Sequence, residues 1–499
     1  MNQNNISATE LFQRVRELLT LPDLEPKTRN KMMHDTLILC CHEGVKDTKQ
    51  AFGNLFSQVD YLCKARGIKV ADKIAIQTMR RHSNSQEPLS GEDLKYDARA
   101  LTLFISAVFE ERIPHEVNVL IPHINRPFQK GLEINNRRIR CIVKNWDSDF
   151  IRVDIDQDAD EEEYLVRLKD EENHIDHTYL WDLLKEGMQL NLLDCQVKQP
   201  IITPRLIVVE PDYLVDISSI ATCFTAFGHH PLLYLLNLMK PRANTQATLL
   251  GNFAGAALDD IINSHGKYQV NETVKSNFRE KALEFCTCPW FDAKKFYTDA
   301  SLQAFNLQQV VDILFPHTAS QAKMSAFRGE SLYDRKKAIL EPSFVCEALG
   351  IQGRVDLMTT DCKLLVEQKS GRNMNIETHQ VDPAYHSYQL EPHYVQLLLY
   401  YGVLQHNFKL SNDRVNIRLL YSKYQPQDGL MVVAYYQKLF KEAIEYRNQL
   451  VAASFEIAKE GFEHTLNEFT PEVLNVAGTQ DFFYNKYLKP QIEAITNPL

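Results

Sequence analysis

The chain contains 499 residues, and its 55 Lys and Arg residues against 65 Asp and Glu residues give a formal net charge of −10. This length is enough for about three domains, each with its own hydrophobic core. No apolar stretch approaches the ~18 uninterrupted residues of a membrane-spanning helix, so a transmembrane role is excluded. The acidic total argues against attraction of the whole molecule to nucleic acid, although screening leaves room for a local basic groove.

The N-terminal sequence and the cysteines indicate where the protein works. The segment MNQNNISATELFQRVRELL has polar residues where a secretory signal needs a cationic start and an apolar middle, which predicts a cytoplasmic protein. The cysteines are then expected to be reduced thiols. Cys286 and Cys288 form a lone CxC, and Cys40 and Cys41 are adjacent, so neither pair has the spacing of a zinc site.

Four segments differ in their pattern of apolar residues. Residues 1–112 repeat apolar side chains at helical spacing, as in LFQRVRELL, which predicts a helical domain of unknown role. Residues 113–215 contain short alternating stretches such as RRIRCIVKNW, which predict a small β-rich barrel, and the oligonucleotide-binding (OB) type is one candidate for it. Residues 216–430 mix helices and strands, and residues 431–499 return to amphipathic helix, as expected of a stalk. The predicted fold class is therefore multidomain α+β.

Two patterns exclude functions. The acidic run DIDQDADEEE, which begins at Asp154, imitates a calcium loop, but Ala159 replaces the turn glycine and Leu165 replaces the bidentate glutamate. A solvated loop is the favoured interpretation of this run. The chain contains no GxxxxGK sequence followed by Ser or Thr, so we expect no ATP site in it.

The segment GRVDLMTTDCKLLVEQKSG, which begins at Gly353, has the pattern of a β-hairpin. Its first strand is predicted over residues 354–358, its turn lies in TTDCK, and its return strand is LLVEQK. Period-two geometry places Glu367 and Lys369 on one face of the return strand. Pairing of the two strands brings Asp356 towards Glu367.

Two carboxylates beside a lysine suit metal-assisted hydrolysis of phosphodiester bonds. Carboxylate oxygens are ligands for Mg²⁺ or Mn²⁺, and a bound ion lowers the pKa of a water nucleophile. Lys369 is expected to orient that water or to stabilise negative charge in the transition state. The competing interpretation is a surface hairpin ending in an exposed ion pair worth less than about 1 kcal/mol. The apolar run from Leu364 to Val366 favours a buried strand and the catalytic interpretation.

A second sequence, HYVQLLLYYGVL, follows the hairpin and contains Gln396 and Tyr400 four residues apart. Together the two segments resemble the RecB-like branch of the PD-(D/E)XK nuclease superfamily, in which a QxxxY helix follows the ExK strand. The resemblance implies a restriction-endonuclease-like α/β core in residues 216–430. It also implies that Gln396 and Tyr400 hold the DNA strand and support the site. The competing interpretation of this pair is a polar stripe on an ordinary packed helix.

The same resemblance assigns roles to the residues of the hairpin. It implies that Asp356, Glu367 and the main-chain carbonyl of Gln368 bind Mg²⁺ or Mn²⁺, and that Lys369 is the catalytic lysine. Glu341 precedes the hairpin as an auxiliary acid does in some relatives.

Two features depart from that family pattern. Many relatives have a metal-binding His on an upstream helix, and Gly255 occupies its position in LLGNFAGAALDDII. Asp259 lies one turn later and is a substitute ligand or, more simply, a solvent-facing or capping acid. Some relatives hold an iron–sulfur cluster through one Cys before the core and three after it. Because no Cys follows Cys362, we expect no such cluster here.

The predicted function is a metal-dependent DNA nuclease that acts on single strands, ends or flaps in DNA repair, replication or defence. The β-rich stretch faintly resembles the barrel that precedes the nuclease in replication and repair nuclease-helicases. A helicase, in a longer chain or in a separate subunit, is therefore an expected partner besides DNA, and no membrane partner is expected. The alternatives are a catalytically inactive nuclease-like module for DNA binding or assembly, and a nuclease directed at RNA.

Two basic segments are candidates for DNA contacts. They cover residues 130–140 and residues 323–337, and the second contains Arg328, Arg335 and Lys336. Solvated protein surface is the alternative interpretation of both segments.

Overall fold

The computed structural model describes residues 6–21, 24–85, 87–126, 132–155, 163–225, 228–239, 244–264, 267–381, 386–410, 414–461, 490 and 493. These residues form a multidomain structure of mixed α/β class that contains a closed β-barrel. Among them, no helix is long and apolar enough to cross a bilayer. Most of the acidic run after Asp154, the first two residues of the basic segment 130–140 and most of residues 462–499 lie outside the described part.

The N-terminal unit consists of helices around one apolar core. A capping box begins the first helix: the Glu10 N–H donates to the Ser7 hydroxyl, and the Ser7 N–H donates to the Glu10 carboxylate. A short strand of this unit joins the central sheet described below. The elements are α1 (Ala8–Thr20), α2 (Pro26–Val45), β1 (Ala51–Phe52), α3 (Leu55–Ala65), α4 (Val70–Asn84), α5 (Gly91–Phe109) and α6 (His115–Asn118).

A closed barrel is present, as predicted, and its strands lie between residues 136 and 209 of the predicted segment 113–215. Its strands close in the order β2, β3, β4, β8, β7, and the short β5 and β6 form a separate ribbon. Along β2, Ile139, Cys141 and Val143 are buried in the barrel core while the residues between them are more exposed, as alternation requires. The strands are β2 (Asn136–Trp146), β3 (Phe150–Ile155), β4 (Tyr164–Arg167), β5 (Lys169–Asp170), β6 (Ile175–Asp176), β7 (Gln189–Lys198) and β8 (Ile201–Val209).

The rest of the described chain builds a mixed sheet with helices on both faces. Its strand order is β1, β18, β17, β16, β15, β12, and a smaller sheet has the order β13, β14, β9. The helices are α7 (Ile217–Ala221), α8 (Leu232–Met239), α9 (Gln246–Asn263), α10 (Val270–Glu280), α11 (Ala282–Cys286), α12 (Ala293–Leu314), α13 (Ala319–Phe327), α14 (Met374–Thr378), α15 (Glu391–Phe408), α16 (Pro426–Gly429) and α17 (Gln437–Glu460). The strands are β9 (Val215–Asp216), β10 (Phe224–Thr225), β11 (Gly228–His229), β12 (Ala338–Leu340), β13 (Ser343–Cys346), β14 (Ile351–Arg354), β15 (Leu357–Thr359), β16 (Leu364–Lys369), β17 (Asn416–Tyr421) and β18 (Leu430–Val432).

Strand β16 lies between two helical layers. Leu364 and Val366 pack with α9 and α12, whereas Leu365 packs with α15 and α17. Burial on both faces explains the uninterrupted apolar run in this strand. The alternation also directs Glu367 and Lys369, which share the face of Leu365, towards α15.

A buried arginine of α17 joins the end of the barrel to the residue before β14 of the smaller sheet. Arg447 is fully buried and donates to main-chain carbonyls of Val209, Glu210, Tyr213 and Gly350, of which the first lies at the end of β8. Gly350 has a φ of +61°, and a Cβ atom there would lie 2.3 Å from Arg447 Nη2. Glycine is therefore required both for the backbone conformation and for the close approach of the guanidinium.

Replacing Arg447 by Ala is expected to lower the free energy of unfolding by about 3 kcal/mol or more, because several buried carbonyls lose their donor at once. Urea titration followed by circular dichroism measures the change. Lys438→Ala, at an exposed position of the same helix, is the matched control and should change stability by less than about 0.5 kcal/mol. Equal stability of the two variants would show that Arg447 does not hold the junction.

Candidate active site

Acidic residues occupy matched positions at the ends of neighbouring strands. β12 pairs antiparallel with β15, and β15 pairs antiparallel with β16. These registers, extended by one residue, place Glu341 opposite Asp356 and Asp356 opposite Glu367. The N–H of Glu341 donates to the carbonyl of Asp356 at 3.0 Å, which supports the first of these pairings. Three carboxylates therefore lie in one row across the sheet.

Asp356 lies between β14 and β15, where the chain leaves the smaller sheet and enters the central one. The predicted continuous strand over residues 354–358 is wrong at this point. The Asp356 side chain, through Oδ2, accepts the N–H of Gln368 at 2.5 Å and so takes the place of a main-chain acceptor. Burial raises the pKa of Asp356, and this hydrogen bond and the Lys369 ammonium oppose the rise.

Glu367 is the most enclosed acid of the row and is 2% exposed. Its Oε1 accepts a hydrogen bond from Lys369 Nζ at 2.7 Å, whereas its Oε2 is buried and has no hydrogen-bond partner. Burial, followed by the charge of Asp356, raises the pKa of Glu367 to about 8. A buried carboxylate oxygen without a partner is costly and is the type of group that a cation would satisfy.

Lys369 lies at the end of β16 and is held from two sides. Its Nζ donates to Glu367 Oε1 and, at 2.9 Å, to Gln396 Oε1 on α15. The Lys369 side chain is 21% exposed, so the ammonium reaches the protein surface beside the buried carboxylate. Gln396 thus positions the lysine.

Tyr400 lies one turn beyond Gln396 and is 2% exposed. Its hydroxyl donates to the carbonyl of Arg354 at 2.6 Å, two residues before Asp356. A Cβ atom on Gly353 would lie 2.9 Å from Tyr400 Cε1, so the absence of a side chain there allows this approach. Tyr400 is buried and offers no exposed surface to a DNA strand, and its hydroxyl bonds the main chain that leads into Asp356.

A buried polar network fixes the opposite face of β16. Gln368 Nε2 donates to the hydroxyl of Ser422 at 2.7 Å, and that hydroxyl donates to Gln303 Oε1 at 2.6 Å. Gln303 Nε2 in turn donates to the carbonyl of Ser370 at 3.1 Å. In a β-strand, the N–H and C=O of one residue point to the same side of the strand. The N–H of Gln368 donates to Asp356, so the Gln368 carbonyl also points to the side of Asp356.

Helix α9 packs on the Leu364 and Val366 face of β16, and its Asp259 lies within electrostatic range of the acids. The Cα of Gly251 lies close to Ser370, since a Cβ atom there would be 3.2 Å from Ser370 Oγ. One turn later a Cβ atom at Gly255 would meet no atom within 4 Å, so this position faces open space. After one more turn comes Asp259, whose pKa is raised to about 7 by burial and then by the charges of Glu341, Asp260 and Asp356. Asp259 therefore shares the electrostatic environment of the predicted acids.

Glu341 lies at the exposed end of the row. Its carboxylate forms an ion pair with Arg354 at 3.0 Å, and both side chains are more than one third exposed. Such a pair contributes little to stability because water screens it. The φ of Glu341 is +47°, a conformation that a non-glycine residue adopts only at a cost.

The donor set limits which metal site the acids can form. In the described part of the chain, no group of three or more His, Cys, Asp or Glu side chains is arranged to hold a metal ion. Asp356, Glu367 and the carbonyl of Gln368 nevertheless converge, and one carboxylate oxygen lacks a partner. Mg²⁺ typically takes one or two carboxylates and keeps several waters, so these residues fit such an ion better than one that needs a closed protein cage.

Sequence reasoning missed two contributors to the site. His393 lies one turn before Gln396, within 3.1 Å of the Tyr421 hydroxyl, and its pKa is lowered to about 3 by burial and by the Lys369 charge. The spacing of His393, Gln396 and Tyr400 at i, i+3 and i+7 is a signal for one helical face. Gln303, on α12, left no comparable signal because its partners are distant in sequence.

The basic segment 323–337 has a partly structural role. Arg335 donates to the carbonyls of Ile261 and Ile262 in the last turn of α9, with Nε at 2.6 Å from the Ile262 oxygen. It therefore caps the helix that carries Asp259. Lys336 is exposed, and Arg328 is half-buried.

Comparison with known proteins adds no assignment to this geometry: neither the models of protein families nor the curated proteins contain a match to the chain.

Replacing Glu367 by Gln is expected to stabilise the metal-free protein at alkaline pH. The folded protein keeps the Glu367 proton up to about pH 8, whereas a glutamate in an unfolded chain loses it near pH ~4.3. Stability therefore falls as pH rises through this window, and the loss is complete above it. Thermal unfolding in EDTA at about pH 5 and about pH 8.5 should show a larger gain in melting temperature for the variant at the higher pH. An equal gain at both pH values would contradict the raised pKa.

Proposed function

We propose that the protein is a metal-dependent nuclease that hydrolyses phosphodiester bonds of DNA, on single strands, ends or flaps. The observation that carries this proposal is the convergence of Asp356 and Glu367, with an unpartnered carboxylate oxygen, beside the Lys369 ammonium. Acids and a lysine in this arrangement match the requirements of phosphodiester hydrolysis, in which negative charge must be neutralised and a water nucleophile positioned.

The arrangement of the core supports assignment to the PD-(D/E)XK nucleases. The ExK strand β16 is central in a mixed sheet, its antiparallel neighbour β15 directly follows Asp356, and α15 with its QxxxY residues packs on the catalytic face. The closed barrel before this core supports the OB-type assignment, and with it the proposal that a helicase works with the nuclease.

Each residue of the site then has a role. Asp356, Glu367 and the Gln368 carbonyl would hold Mg²⁺ or Mn²⁺. The bound ion would supply a water of lowered pKa and neutralise charge on the scissile phosphate. Lys369 keeps its ammonium at the site by donating to Glu367 and Gln396, and from there it stabilises negative charge on the phosphate oxygens.

Two residues of α15 would affect the reaction indirectly, by positioning other residues of the site. Gln396 positions Lys369, and Tyr400 holds the main chain at Arg354 that leads into Asp356. Burial and then the charges of Glu341 and Asp356 raise the pKa of Asp259, which therefore lies near the acids. Asp259 is a candidate for a hydrogen bond to a water molecule bound by the metal ion.

The first test is cleavage of end-labelled single-stranded DNA in Mg²⁺ or Mn²⁺. Glu367→Gln and Lys369→Ala are each expected to lower the rate by about a hundredfold or more, because each removes a charge used in the transition state. Glu347→Gln, at an exposed carboxylate outside the row, is the matched control and should cleave at the wild-type rate. An RNA strand of the same sequence, digested in parallel, reports whether 2′-hydroxyl groups are tolerated.

The outcomes of this test separate the alternatives. Undiminished cleavage by Glu367→Gln and Lys369→Ala would exclude the proposed site. DNA binding without cleavage by the wild-type protein would favour the inactive nuclease-like module. The reason to consider that module is that Gly255 stands where the family resemblance leads one to expect a metal-binding His.

A second test restores the histidine that the family resemblance leads one to expect. Because Gly255 faces open space on the helix beside the acids, Gly255→His is expected to fold and to tighten Mn²⁺ binding several-fold, since imidazole adds a ligand. Isothermal titration calorimetry with Mn²⁺ measures the change. Gly255→Ala is the control: it should leave Mn²⁺ affinity unchanged while raising helix stability by up to about 1 kcal/mol. Equal Mn²⁺ affinity of the two variants would place the metal elsewhere.

A further inference from the structure

A second recess lies away from the row of acids, between the N-terminal helical unit and the central core. It is a cavity of about 600 Å³. Helices α2, α3 and α4 supply one wall, and residues 386–394 together with the first turn of α17 supply the other. Its volume lies within the range of about 300 to 1,000 Å³ that is usual for pockets that bind small molecules.

One wall of the cavity is positively charged. Lys27 and Lys31 lie one turn apart on α2, and Arg80 projects from α4. Lys31 is exposed and forms no ion pair with any residue that the structure describes, whereas Lys27 also donates to the carbonyl of His82. Glu391 is the one acid among the lining residues described. The wall therefore has an excess of positive charge and is suited to an anion.

The environment of this wall lowers the pKa values of His34 and Arg80. His34 lines an adjoining recess together with Lys31 and Asp35. Burial and then the charge of Arg80 lower the pKa of His34, and the charge of Asp35 opposes this shift. Burial also lowers the pKa of Arg80, so its guanidinium lacks some of the hydration that it has in water. A bound anion would compensate for that loss.

Aromatic rings and an unsatisfied amide complete the cavity. Phe56 and Tyr436 are both half-buried, and their ring centroids are 5.6 Å apart. Gln389 is 1% exposed, and neither its Oε1 nor its Nε2 has a hydrogen-bond partner. Its side chain packs against Gly53, where a Cβ atom would lie 2.1 Å from Gln389 Oε1. The glycine thus allows a polar amide to be buried at the cavity floor, and this amide requires a partner.

We propose that this cavity binds a nucleoside phosphate. Lys27, Lys31 and Arg80 neutralise the phosphate. The Arg80 guanidinium lies over the Phe56 ring, 5.1 Å from its centroid, so the Tyr436 ring is the surface on which a base stacks. The Gln389 amide presents one donor and one acceptor, which is the complement of a base edge. A bare phosphate would leave the Gln389 amide without a partner. A free nucleotide and the terminal nucleotide of a DNA strand share this chemistry.

The test measures binding without any cleavage, so it is independent of the nuclease proposal. The 499-residue Glu367→Gln protein in EDTA is titrated with ATP, with AMP, with inorganic phosphate and with a 5′-phosphorylated oligonucleotide. Fluorescence anisotropy or calorimetry gives the dissociation constants. Lys31→Ala and Gln389→Ala, each added to this background, are expected to weaken nucleotide binding by about tenfold. Lys95→Ala, at an exposed lysine of α5 outside the cavity, should leave binding unchanged.

Each outcome decides the proposal. Binding of ATP or AMP that Lys31→Ala weakens supports the site with a free nucleotide as its ligand. Binding of the phosphorylated oligonucleotide alone, with the same sensitivity, supports it with a strand end as its ligand. Inorganic phosphate bound as tightly as the nucleotides would overturn the assignment to a nucleoside. No binding of any of these ligands, or binding that both cavity substitutions leave unchanged while thermal unfolding shows folded protein, would overturn the site itself.

Discussion

The burial of one carboxylate at the end of β16 is the constraint on which the site depends. Glu367 lies between helical layers with one oxygen paired to Lys369 and the other without a partner. Such a group destabilises a metal-free fold, because the charged form is poorly solvated and the pKa rises to about 8. The surrounding structure must therefore supply the stability that this position removes, and a cation that binds there would recover part of it.

The neighbouring elements supply that stability through apolar packing on both faces of β16 and through hydrogen bonds at the end of this strand. Apolar residues on both faces of β16 anchor it between α9 and α12 on one side and α15 and α17 on the other. The network of Gln303, Ser422 and Gln368 fixes the strand end from the face opposite the acids. On the face of the acids, α15 makes two contacts, one from Gln396 to Lys369 and one from Tyr400 to the main chain before Asp356. The acids are held by elements that are themselves fully packed.

Local patterns were sufficient to predict some of these features. Alternation predicted the barrel, and period two predicted that Glu367 and Lys369 share a face, because both depend on neighbours in sequence. The change of sheet at Asp356 was missed because it depends on pairing with β9, far upstream in the chain. The entry of β1 into the central sheet and the Gln303 network were missed for the same reason. The sequence left the role of Asp259 open because a single acid on a helix can cap the helix, face solvent or bind a metal ion. Only the tertiary structure places Asp259 near Glu341 and Asp356.

The most direct test of this account is the number of protons released when Mn²⁺ binds at about pH 7. Glu367 is mostly protonated at that pH, so a metal ion that takes its carboxylate must displace close to one proton. Calorimetric titrations in buffers of different ionisation enthalpy measure this number. We expect the wild-type protein to release about one proton more than Glu367→Gln, which should bind Mn²⁺ far more weakly. Mn²⁺ binding of equal affinity and equal proton release in both proteins would contradict this account.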